Sequence, residues 1–115
     1  MELMFHVHLY NQYQQMKYLS LLAPTWIAAQ NGHTETVRAL VQECGADAGA
    51  ADNDGRTPVA RAARNGHTET VRALVQECGA DAGAADKNGA SPTWIAAENG
   101  HTETVRALVQ ECGAD

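Results

Sequence analysis

The chain has 115 residues, 44% of them hydrophobic but only 5% aromatic, and a net charge of −6 at neutral pH. That length holds one folding body of about three small stacked units and no second domain; with 21 alanines, its core must be thin and built from closely approaching helices. The acidity, with no basic stripe to offset it, argues against nucleic acid and against an anionic membrane as partner.

Residues 1–22 share nothing with the rest of the chain. They lack a basic start, and Glu2, His6 and His8 interrupt their apolar run, so a secretory signal is not expected, nor is any segment suited to span a bilayer. Tyr13, Met16 and Leu19 fall on a helical stripe able to cover the next element. The segment reads as a divergent leader or N-terminal cap.

From residue 31 onward the seventeen residues NGHTETVRALVQECGAD occur three times unchanged, at 31–47, 65–81 and 99–115, a period of 34. A period of this size marks a supersecondary unit that cannot bury its own apolar face and stacks on copies of itself. Each block carries two Glu, one Asp and one Arg, so the three blocks account for the whole net charge. The charge is therefore spread along the repeated helices as a solubility field.

The middle copy, 52 to 86, shows every element. Asp54-Gly55, matched by Asn88-Gly89 in the next copy, is a tight-turn dipeptide and predicts a projecting finger. Pro58 suits the first turn of a helix, Val59, Ala62 and Ala63 mark one face of it, and Asn65-Gly66 supplies a left-handed stop. Thr68 is placed to cap a second helix and Glu69 suits its positive end. Val71, Leu74, Val75 and Cys78 follow at i, i+3, i+4 and i+7, Glu69 and Arg72 pair across one turn, and Gly79 ends the helix.

Helix, turn, helix and finger, with T-P at the first helix, G-H before the second and G-A-D after it, resembles the ankyrin repeat over about residues 23–115. The resemblance implies an all-α fold, an α-solenoid of stacked helix-turn-helix ankyrin repeats with short β-turn fingers, in units at about 23–51, 52–85 and 86–115, the last truncated. The family pattern T-P-L-H is met in part, as APTW at 23–26, TPVA at 57–60 and SPTW at 91–94. Its histidine, which in the family helps tie the helix start to the finger, is absent from all three. The usual V-N after G-A-D is Ala48-Gly49 and Ala82-Gly83, which predicts looser fingers.

The period of 34 exceeds the common 33, and aligning on the glycines puts the extra residue at 75–77, in a slightly longer second helix. Counting back one period from Asp54-Gly55 reaches Ser20-Leu21, without turn chemistry, so the first finger is expected to be missing. At the other end Val105, Leu108 and Val109 have no polar cap over them, which predicts a fraying last helix or self-association through the C-terminal repeat.

Catalytic and metal chemistry find little support. His33, His67 and His101 stand beside Glu35, Glu69 and Glu103, but zinc needs three or four ligands converging at about 2.0–2.3 Å, whereas copies of one position lie a helix spacing apart. They are expected to make local or inter-repeat hydrogen bonds. His67 and Cys78 lie at opposite ends of one helix, roughly 16 Å apart at 1.5 Å per residue. Cys44, Cys78 and Cys112 recur at one position, and stacked helices about 8–10 Å apart exceed the ~7 Å Cα limit of a disulfide. They are expected to be buried free thiols, which fits a reducing compartment. No enzyme activity, cofactor or metal is predicted.

The variable positions carry the functional signal. Trp26 and Trp94 replace the family histidine, either as anchors for a partner or as indoles filling space between fingers and helices with the N–H bonded. Arg56, Arg61 and Arg64 make only the middle unit basic, either to grip an acidic peptide or as a solvated face with the Arg61 head near Asp52 or Asp54. In ankyrin repeats the fingers and first helices line a concave binding face. The resemblance therefore implies a non-catalytic scaffold for a protein partner, with contacts at Asn53, Asp54, Arg56, Arg61, Arg64, Lys87, Asn88, Ala90, Trp94 and Glu98, which vary between copies. The alternative is a purely structural fragment of a longer array with no partner of its own. An intracellular setting is expected, cytoplasmic or nuclear.

Overall fold

A computed structural model describes residues 24–114, in which there are six helices and no strand. The leader and the first-finger segment lie outside the described residues. Helix α1 covers 24–30, α2 Thr34–Arg38, α3 Pro58–Arg64, α4 Thr68–Arg72, α5 Pro92–Glu98 and α6 Thr102–Arg106. Each even-numbered helix runs on into a π-helical turn, at Ala39–Glu43, Ala73–Glu77 and Ala107–Glu111. The helices pair as α3 with α4 and α5 with α6, and α3 stacks on α5 as α2 and α4 stack on α4 and α6. This is the stacked helix-turn-helix solenoid that the repeats imply.

The first helices begin where proline allows. Pro58 and Pro92 open α3 and α5, and the hydroxyls of Thr57 and Ser91 accept the backbone N–H of Ala60 and Trp94, both at 3.2 Å. Small residues let neighbouring first helices approach, so Val59, Ala62, Ala63 and Ala96 are fully buried. Each pair turns at glycine, Gly66 at φ +72°, where His67 N–H bonds the Ala62 carbonyl at 3.0 Å.

Thr68 does not cap α4; it is the first residue of that helix, and the capping position falls on His67, whose side chain makes no cap bond. The Thr68 N–H donates to the Gly66 carbonyl at 3.0 Å, and its hydroxyl bonds that of Thr104 in the following unit at 2.7 Å. Thr34 bonds Thr70 in the same way, also at 2.7 Å. These threonine pairs, buried on one side, stitch the second helices together.

The extra residue of the 34-residue period is absorbed at the predicted place by widening the helix. Cys44, Cys78 and Cys112 donate to the carbonyls five residues back, Ala39, Ala73 and Ala107, at 3.1, 3.0 and 2.9 Å. A single added residue in a helix is accommodated as such a π-bulge. At the end of this wider turn Cys78 and Cys112 pack against the apolar cluster while staying partly open to solvent. Contrary to the sequence expectation the cysteines are not buried: Cys44 is exposed and Cys78 and Cys112 are partly so, all as free thiols. Partial burial, aided by Glu77 and Glu111 against the opposing Arg38 and Arg72, pushes the Cys78 and Cys112 thiols above the ordinary range.

One apolar cluster runs through all three units, from Ala28 and Val37 through Val59, Val71 and Leu74 to Ala96 and Leu108. No helix among the described residues is long and apolar enough to cross a membrane.

Candidate protein-binding groove

Each of the two described fingers is closed by one aspartate. Asp52 Oδ1 accepts the backbone N–H of Asp54 and of Arg56, both at 2.9 Å, while its own N–H reaches the Arg56 carbonyl at 2.9 Å. Asp86 repeats this with Asn88 at 2.9 Å and Ala90 at 3.0 Å. Aspartate that bonds the backbone two residues on is the Asx-turn device. Lys87 N–H donates to the Asp54 carbonyl at 3.1 Å and ties one finger to the next. The fingers, expected to be loose, thus carry an internal and an inter-finger network.

Between the Asp86 finger and the first helices lies a groove of about 540 Å³, lined by Arg56, Arg64, Asp86, Asn88, Gly89, Ala90, Trp94, Ile95, Glu98 and Asn99. A smaller hollow of about 290 Å³, walled by Gln30, Arg61, Arg64 and Asn65, adjoins it through Arg64.

The groove's charges differ in their freedom. Asp86 is held below its ordinary value by the Ala90 N–H, against burial, with help from Asn88 and Arg56, and its Oδ2 lies 3.6 Å from Arg56 Nε. Glu98 accepts the Trp94 indole N–H at 3.0 Å. Arg64 is exposed and has no ion pair among the described residues; only its carbonyl is engaged, by Nε2 of His101 at 2.9 Å. The uncommitted positive charge of the site is therefore the Arg64 guanidinium.

A model of the ankyrin repeat matches residues 24–115 in three copies. The chain belongs to the ankyrin-repeat family. No individual curated protein matches it. Ankyrin repeats are general protein–protein interaction modules, and the family is typically non-catalytic. Among the described residues of this ankyrin array, no group of three His, Cys, Asp or Glu is placed to hold a metal ion.

Of the ten predicted contact residues, the ankyrin array brings Arg56, Arg64, Asn88, Ala90, Trp94 and Glu98 together in the larger groove. Asn53, Asp54 and Lys87 stand exposed on the fingers, outside it. Arg61 lines the adjoining hollow with its head engaged: it pairs with Asp52, donates to Gln30 Oε1 at 2.7 Å and lies 5.7 Å from the Trp26 ring centroid, within cation–π range.

The two tryptophans separate. Trp26 is half-buried and donates its indole N–H to the Ala50 carbonyl at 3.2 Å, supplying a tie between first helix and finger approach where the family histidine is missing. Trp94 is 64% exposed and lies along the groove. Sequence reasoning did not single out Asp86, Ile95 and Asn99 as groove residues. The aspartate two residues before Asn88 was a legible Asx-turn signal; nothing local marked the other two.

Proposed function

We propose that this ankyrin array is a non-catalytic scaffold that binds a protein partner through its fingers and first helices, and that the partner offers an acidic segment carrying an apolar side chain. The observation that carries this reading is the coincidence of copy-to-copy variation with one concavity: Arg64, Asn88 and Ala90 differ from their counterparts in the other units and line the same groove, together with the exposed Trp94. An unpaired guanidinium suits a carboxylate in a bidentate contact, and an exposed indole beside Ile95 suits an apolar side chain. The negative charge elsewhere disfavours nucleic acid and anionic membrane. The free cysteines suit a reducing compartment, cytoplasmic or nuclear.

Selection from a displayed random-peptide library on the immobilised chain tests it. Enriched peptides should be acidic, and Arg64→Glu and Trp94→Ala should each weaken binding about tenfold or more with unchanged circular dichroism. Basic or uncharged winners, or indifference to both substitutions, would refute the groove. Failure to enrich any peptide or capture any partner would leave the chain a structural stretch of an ankyrin array.

A further inference from the structure

Because the units are copies, the contacts that join consecutive units exist in unpaired form, among the described residues, on one face of the first unit and one face of the third. Thr70 and Thr104 are each 1% exposed beneath the hydroxyls of Thr34 and Thr68. Their counterpart in the first unit, Thr36, is exposed, as is Thr102, the third unit's counterpart of Thr34 and Thr68.

The ion pairs repeat the pattern. Arg38 meets Glu77 at 2.7 Å and Arg72 meets Glu111 at 2.7 Å, each across a unit boundary. Among the described residues Arg106 and Glu43, the same residues at the two outer faces, have no ion pair. The rings of His67 and His101 sit on Gly32 and Gly66 so closely that a Cβ there would fall 2.6 and 2.5 Å from them, whereas Gly100 faces open space and His33 is exposed. Ile95 is 6% exposed with a unit beneath it; Ile27, in the same register, is 56% exposed.

We infer that a second copy of this chain docks head to tail, the first unit of one copy on the third unit of the other, with Arg106 on Glu43, Thr102 on Thr36 and His33 over Gly100. Each of these contacts is one the chain already makes twice within itself, so shape and charge are matched. The two surfaces differ, which makes the contact heterologous: it leaves a free face at each end and extends rather than closing at a dimer. It uses helix ends and not the groove, so it stands apart from the proposed acidic partner.

Sedimentation velocity of the 115-residue chain, from micromolar to near-millimolar concentration, tests this. The weight-average mass should climb past that of a dimer without a plateau. Arg106→Glu, at an exposed residue without an ion pair, should weaken association about fivefold or more, and adding Glu43→Arg to the same chain should restore it. A concentration-independent monomer would overturn the inference. So would a closed dimer indifferent to Arg106→Glu, or a charge swap that fails to rescue.

Discussion

Asp52 holds Arg61 with one carboxylate oxygen and its own finger with the other: Oδ2 takes Arg61 Nε at 3.0 Å while Oδ1 takes two backbone N–H groups. The Asp52 side chain is 4% exposed, so nothing replaces these bonds when it is removed. Asp52→Ala should cost about 1–3 kcal/mol, the range for losing a buried capping acceptor and one charged hydrogen bond. Urea denaturation measures it; a loss within error would show that the finger holds itself.

The same carboxylate sets an acid limit. Burial pushes Asp52 up, but Arg61 and the backbone N–H groups of Arg56 and Asp54 outweigh it, leaving the group below its ordinary 3.8; Asp86 is lowered too. A depressed folded value means stability fully present above the unfolded value and lost as pH falls through the folded one. Stability should be flat with respect to these groups above about pH 5 and fall below about pH 4. Asp52→Asn should flatten that acid slope, as urea midpoints across the range would report.

The π-turn predicts an unusual tolerance. Deleting the exposed Gln76 should let Ala73–Glu77 relax into ordinary α-helix, with a melting temperature within about 5 °C of the parent, the shift expected for about 1 kcal/mol in a domain of this size. Deleting the fully buried Ala62 of α3 throws Ala63 off the packed face and should abolish the cooperative transition. Equal damage from both deletions would contradict the bulge.

Identical residues should differ in worth by position. Leu74 and Leu108 are fully buried, whereas Leu40 is only partly so. Leu74→Ala and Leu108→Ala should each cost about 2–5 kcal/mol and Leu40→Ala about half that or less. Three equal losses in chemical denaturation would mean that burial in the stack does not govern these sites.

Much of this was legible locally. Pro58, Gly66, Gly79 and the stripe from Val59 to Ala63 act within one turn of chain, so their sequence signals and their structural roles coincide. What escaped lies between units. Arg72 to Glu111, Thr68 to Thr104 and the His101 ring on Gly66 each span slightly more than one period, and identical copies reveal a repeat without revealing the offset at which it stacks. The cysteines misled in degree: Cys78 packs against the apolar cluster as its i+7 place suggests, yet at the end of the π-turn it stays partly exposed, and Cys44 is exposed. In the groove, variation between copies pointed to Arg64 and Ala90, whereas Trp94 and Ile95 both recur in the first unit, at positions 26 and 27, and only the middle unit departs from them.

Fluorescence separates the two indoles. With Trp26→Phe, the remaining exposed Trp94 should emit at long wavelength and be quenched readily by acrylamide. With Trp94→Phe, the half-buried Trp26 should emit further to the blue and be protected. Matching spectra would contradict their different surroundings.

The claim that the varied residues form the reading surface is tested most directly by amide and indole chemical-shift mapping with the tightest acidic peptide from the library. The account predicts perturbations at Arg56, Arg64, Asn88 to Ala90 and the Trp94 indole. Perturbations confined to the invariant second helices, such as Glu103 and Gln110, with the Trp94 indole unmoved, would contradict it.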